Sequence, residues 1–150
     1  MKKMMMLIAL SCLLVACGGN EKKKGEQAGG VVESYLAVKD ALVATDATKA
    51  QKAAKAFLEV NTNEALISAL EAIVATTDVA VQRTAFESLS MNMYNLIKTD
   101  GADIALYKQY CPMAFNNKGA FWLAAEQEVN NPYFGDRMLH CGSVQEVLNQ

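Results

Sequence analysis

Between Val31 and Asp100 the chain contains neither glycine nor proline, and 14 of the 55 residues from Val31 to Ala85 are alanine. A long stretch without a backbone breaker, rich in the best helix former, predicts helix throughout. The apolar spacing agrees. Val31, Tyr35, Val38 and Leu42 recur at intervals of 4, 3 and 4, which places them on one stripe of a first helix. Asp46 has the chemistry of an N-cap for a second helix, with Ala50, Ala54 and Phe57 inside. Thr62 is the expected cap of a third, burying Leu66, Leu70 and Ile73. Thr77 or Asp78 opens a fourth, where Phe86, Leu89, Met93 and Leu96 form the inner stripe and Gly101 is the stop. Met91 and Met93 resemble a Met-x-Met pair, but on a helix they point about 200° apart, so Met93 belongs to the core and the two cannot share an ion.

Beyond Gly101 the composition changes. Four of the nine glycines, both prolines and seven of the eleven aromatic residues fall in the last fifty positions. Leu106 to Tyr110 and Gly119 to Leu123 read as short strands around the turn former Asn116-Asn117-Lys118-Gly119. Ser143 and Glu146 have capping-box spacing, predicting a final short helix that packs Val144, Val147 and Leu148. The fold class that follows is mainly α: an antiparallel four-helix bundle with a small irregular C-terminal lobe. No internal repeat and no second domain is visible in the 150 residues.

The N-terminus carries a different message. Lys2 and Lys3 precede a short apolar run from Met4 to Leu13, and Leu14-Val15-Ala16-Cys17 follows. A run of roughly a dozen apolar residues is too short to span a bilayer, which takes about 20. The pattern resembles the bacterial lipoprotein box, which implies a signal peptide over 1–16, cleavage before Cys17 and acylation of that cysteine. Residues 17–30 then read as the acylated cysteine and a flexible tether, because Gly18 to Gly30 has no apolar side chain larger than the Ala28 methyl with which to offset the entropy of ordering. The domain itself is expected over 31–150. Such a chain is lipid-anchored in the cell envelope, on the periplasmic side or the surface. Gly18 lacks the acidic residue of inner-membrane retention, which leans toward the outer membrane.

Charge and histidine content exclude several functions. The net charge is −2, and −4 once Lys2 and Lys3 leave with the leader, so no basic face is available for nucleic acid. His140 is the one histidine, which rules out a three-His zinc site or a two-imidazole copper site. No nucleophile elbow, phosphate loop, dinucleotide fingerprint or zinc-protease helix is present, and the chain is not read as an enzyme.

What remains is sulfur. Cys111-Pro112-Met113 sets a thiol and a thioether on one side of an extended segment, and Pro112 biases Cys111 toward that conformation. Met138-Leu139-His140-Cys141 sets a thioether and a thiol at i and i+3, with Gly142 free to turn the chain away. If the two segments meet, Cys111, Met113, Met138 and Cys141 offer four soft donors, with His140 as an accessory. Such ligands select Cu(I) over magnesium, calcium or manganese.

These residues also carry a family resemblance. The stretches QRTAFESLS (Gln82 to Ser90), YKQYCPMAFNNKGAFWLA (Tyr107 to Ala124) and NPYFGDRMLHCGSV (Asn131 to Val144) resemble a small Bacteroidetes domain of unknown function, which occurs in lipoproteins and in periplasmic adaptor subunits of heavy-metal efflux pumps. The resemblance runs from about Val31 to Gln145 and implies a part in copper or related cation homeostasis, with such an adaptor as partner. Cys111, Met113, Met138 and Cys141 occupy its motif positions. Ala124 and His140 depart from it, standing where Ser and Thr or Lys are expected, which leaves His140 outside the motif.

Each element also has a structural role to set against the chemical one. Cys111 and Cys141 are equally fitted to a structural disulfide, favoured by an oxidising compartment and worth about 3 to 4 kcal/mol in the chain-entropy model. A membrane-anchored module binding Cu(I) is the leading expectation, and a non-enzymatic interaction module stapled by that disulfide is the alternative. Asn131 and Asp136 read as turn residues around a positive-φ Gly135, Arg83 and Arg137 carry no functional weight, and Glu126 and Glu128 read as a solvated pair.

Overall fold

The computed structural model describes residues 24–149, with side chains from Gly30 onward, so Cys17 and the leader lie outside the described residues. Four long helices are followed by a three-stranded sheet. They are α1 (Lys24–Val43), α2 (Ala47–Val60), α3 (Glu64–Val74) and α4 (Val79–Asp100). Each packs on the next, and α1 also meets α4, giving a helix bundle.

Helix α1 begins at Lys24, so Lys24 to Gly30, expected in the tether, are helical and continuous with the body. No described helix is long and apolar enough to cross a membrane. The expected stripes are buried: Val31, Tyr35, Val38 and Leu42 on α1, Ala50, Ala54 and Phe57 on α2, and Leu66, Leu70 and Ile73 on α3. Asp46 caps α2 by accepting from the Lys49 N–H, and Asp78 caps α4 by accepting from Ala80 and Val81. Two positions move by one residue. Asn63, rather than Thr62, caps α3, its Oδ1 accepting from the Ala65 N–H at 2.9 Å. On α4 the stripe passes Phe86, Leu89 and Met93 to Ile97, leaving Leu96 half-buried, because a step of four from Met93 restores the 3.6-residue period.

Gly101 ends α4 with φ +79°, and the chain enters β1 (Leu106–Cys111) and β2 (Ala120–Ala124), an antiparallel hairpin close to the one expected. The turn between them winds left-handed through Phe115, Asn116 and Asn117, with φ between 52° and 66°. The final segment is where the expectation fails. Ser143–Leu148 is not a helix but β3, paired antiparallel with β1 so that the strand order is β2-β1-β3. The open edge of β1 offers Ser143–Leu148 a ladder of backbone partners, and this outweighs a local capping pattern.

Residues directly opposite across the hairpin share a face. Gln109 and Trp122 are opposite, as are Cys111 and Ala120, and on the other face Lys108 faces Leu123 and Tyr110 faces Phe121. The second face meets α4. Lys108 Nζ lies 4.1 Å from the Tyr94 ring centroid and 4.5 Å from that of Phe121, and Tyr94 and Phe121 pack edge to face. The Tyr35 hydroxyl reaches the same sheet from α1, accepting from the Leu123 N–H at 3.0 Å while bonding Ser90 at 2.8 Å. Burial there raises the Tyr35 phenol well above its ordinary value. The first face is covered by the irregular segment 125–142, which brings the second cysteine to the first.

Candidate functional site

Cys111 ends β1 on the covered face of the sheet and is fully buried. Cys141 lies two residues before β3 and is half-buried. Their sulfurs are 2.9 Å apart and hydrogen-bonded, both as free thiols. Gly142 makes the approach possible: at φ +143° it passes so close to β1 that a Cβ would sit 2.8 Å from the Tyr110 carbonyl oxygen and 3.2 Å from the Trp122 ring. The thiol pair is therefore built by two strands and a glycine, not by local sequence.

The segment carrying Cys141 is tied down at several points. Asn131 is fully buried. Its Nδ2 donates to the Cys141 carbonyl at 2.7 Å, and its Oδ1 accepts from the Tyr133 N–H at 2.8 Å and the Phe134 N–H at 3.3 Å. The Asn131 N–H donates to the Leu139 carbonyl at 2.8 Å. Arg83, from α4, donates through Nε to the Pro132 carbonyl at 2.7 Å and through Nη2 to Leu42 and Thr45 at 3.1 and 3.2 Å. Gly135, at φ +58°, lies against that guanidinium. Gln109 holds the start of the segment, its Nε2 donating to the carbonyls of Glu126, Gln127 and Glu128. Lys39, buried on α1, pairs with Glu126 and with Asp40.

Electrostatically the Cys141 thiol favours its proton. The Cys111 thiol hydrogen-bonded to it, then burial and the Cys111 charge, push the Cys141 thiol up to about 11 from an ordinary value near 9.0. Two adjacent thiols can share protons but not two negative charges. Such a pair can bind a soft cation as its protons pass to solvent, or give two electrons and two protons to a disulfide oxidant and form a disulfide itself.

The remaining expected ligands flank the two thiols along the chain. Met113 follows β1 on the turn and is 46 % exposed, while Met138 is half-buried behind the 3₁₀ turn Gly135–Arg137. His140 is exposed, its Nδ1 2.8 Å from the Val129 carbonyl oxygen. Among the described residues no group of three or more His, Cys, Asp and Glu side chains converges as a metal site. The contact between expected ligands that the structure gives is the one between the two thiols. Met93 is buried as expected, and Met91 is half exposed.

Residues 31–104 match the family model described as a protein of unknown function (DUF3347). The match covers α4 with Gln82 to Ser90 and ends before β1, so the segments bearing Cys111 and Cys141 lie beyond it. No curated protein and no solved structure matches the chain.

Two parts of the site were not anticipated from sequence. Arg83 and Asn131 read as silent and as turn chemistry, yet both anchor the Cys141 segment. A signal for Arg83 existed: with Phe86, Ser90, Met93 and Ile97 it keeps the intervals 3, 4, 3 and 4 of the buried stripe. Lys39 likewise falls between Tyr35 and Leu42 on the buried face of α1, and it finds Glu126, which had read as solvated. A charge at a core position needs a partner from elsewhere in the fold.

Proposed function

We propose that this chain is a lipid-anchored envelope module that binds a soft metal ion, Cu(I), through the thiolates of Cys111 and Cys141. The observation that carries the reading is the 2.9 Å contact between two thiols brought from separate elements. Cu(I) accepts a low coordination number and prefers sulfur, whereas structural zinc sites take four ligands of a kind that do not gather here among the described residues. Binding replaces the protons that the pair holds, so capture is favoured as pH rises. Met113, exposed on the turn after Cys111, is placed to receive or pass on an ion as an exchangeable thioether, and Met138 and His140 serve as outer donors. The body is an antiparallel bundle on which the lobe is carried, anchored through Cys17 to the outer membrane. The partner is a periplasmic adaptor of a heavy-metal efflux pump, to which the ion is handed by ligand exchange.

The test is competition under anaerobic, reducing conditions. Reduced protein should withdraw one Cu(I) equivalent from a chromophoric chelator, and the Cys111→Ser, Cys141→Ser double variant should withdraw none while keeping its helical circular dichroism. No withdrawal by the wild-type protein overturns the proposal.

A second reading is favoured by the same contact together with the burial of Cys111: a structural disulfide in a non-enzymatic interaction module. Intact mass before and after reduction distinguishes the two. A preparation always lacking two hydrogens, and inert to Cu(I) after reduction, supports the disulfide.

A further inference from the structure

We infer that Asn131 is the positioning residue of the thiol pair: its carboxamide fixes the Cys141 backbone, and so the sulfur, against Cys111. The inference rests on the pair being the functional site but not on which ion or bond it forms. Cys111 needs no such device, since it is paired with Ala120 of β2 and follows Tyr110, which is paired on both sides. Cys141 belongs to no strand: β3 registers Ser143 two residues on against Tyr110, and on its other side the position of Cys141 depends on what holds segment 131–141. One side chain joins the ends of that segment. Asn131 donates to the Cys141 carbonyl at one end and accepts from the Tyr133 and Phe134 N–H groups at the other.

Successive backbone bonds close the interior: Gly135 N–H to Asn131, Met138 N–H to Gly135 and Cys141 N–H to Met138. Arg83 then pins the same segment to α4 through the Pro132 carbonyl. The carboxamide is fully buried, with donor and acceptor both used. Aspartate at 131 would keep the two acceptor bonds that shape the turn, but it has no N–H to give Cys141. Turn building and sulfur positioning are thereby separable by a single substitution.

The readout is the effective concentration of one thiol toward the other, measured by equilibration with reduced and oxidised glutathione in the absence of metal. In that reaction the Cys111 and Cys141 thiols give two electrons and two protons to one glutathione disulfide, forming one protein disulfide and two glutathione thiols. Asn131→Ala and Asn131→Asp should each lower the effective concentration by about tenfold while the helical circular dichroism stays unchanged. A wild-type value in Asn131→Asp overturns the inference, because it would show that Asn131 only builds the turn.

Should either variant lose its fold, the wild-type protein decides the matter by nuclear magnetic resonance. Oxidation of the thiol pair should move the side-chain amide signals of Asn131 more than those of Gln82, which bonds Ala47 and Thr76 on the helical body. An Asn131 signal that does not move sinks the inference. Copper competition is read separately. If it fails while the glutathione equilibrium shifts in the variants, Asn131 positions a redox pair and the metal reading alone is lost. If copper is withdrawn normally and the equilibrium does not shift, only the role of Asn131 is lost.

Discussion

Replacing Gly135 by alanine should be among the most damaging single-methyl additions to this molecule. Two costs combine. At φ +58° an L-residue with a Cβ gives up about 1–2 kcal/mol relative to glycine. The added Cβ would also lie 2.2 Å from Thr45 Oγ1, 2.8 Å from Arg83 Nη2 and 3.0 Å from the Val43 carbonyl oxygen. The backbone oxygen cannot yield, so the Thr45 and Arg83 side chains must. Arg83 Nη2 would then lose its bonds to Leu42 and Thr45, now 3.1 and 3.2 Å long.

Hydrogen bonds to a charged group contribute about 1.5–3 kcal/mol each, and losing one of the two is the least the clash allows. The expected destabilisation is about 3–5 kcal/mol, a large part of the roughly 5–15 kcal/mol that stabilises a domain. Urea unfolding followed by circular dichroism should show the midpoint falling by about 1–5 M, given a slope of about 1–3 kcal/mol/M. A loss under about 1 kcal/mol would refute the reasoning. It would mean that segment 131–141 moves off α4 freely and that the close approach does not fix a glycine at this position.

Three further outcomes are expected. Glu126→Gln leaves the Lys39 ammonium buried with Asp40 alone, and thermal unfolding should show a loss of about 2–4 kcal/mol, whereas Lys39→Met should be near neutral. Gly30→Ala should stabilise the protein by about 0.5–1 kcal/mol, because Gly30 lies inside α1 with open space around it, and urea midpoints report the gain. The third concerns pH. Cys141 is raised in the folded state, so its protonated form contributes stability that is complete below 9.0 and lost as pH rises through about 11. Denaturant titrations should show the difference between wild type and Cys141→Ser constant below pH 9.0 and shrinking toward 11; a difference constant throughout refutes the assignment.

The absence of glycine and proline from 31 to 100, with apolar residues at helical intervals, marked the four helices of the body and placed their caps within a residue, because periodicity and capping are local properties; the helical turns from Lys24 to Gly30, through three glycines, were not legible in that pattern. The hairpin around Asn116 and Gly119 was equally readable, since turn chemistry also acts within a few positions. Ser143 to Leu148 was not. Its capping box is genuine as a sequence pattern, but the segment lies beside an open strand edge, and the ladder on β1 decides its form.

The same division runs through the site. Sequence marked both cysteines and both methionines as soft donors, each within its own turn. Only the tertiary structure decided that the thiols meet at 2.9 Å while Met113 stays half exposed and His140 turns to the Val129 carbonyl. Convergence of residues 30 positions apart depends on sheet register, on Gly142 passing over Trp122, and on Asn131 and Arg83 holding the intervening segment. Those are long-range contacts. A residue type announces what chemistry it can offer, but only the folded chain sets the distance over which that chemistry acts.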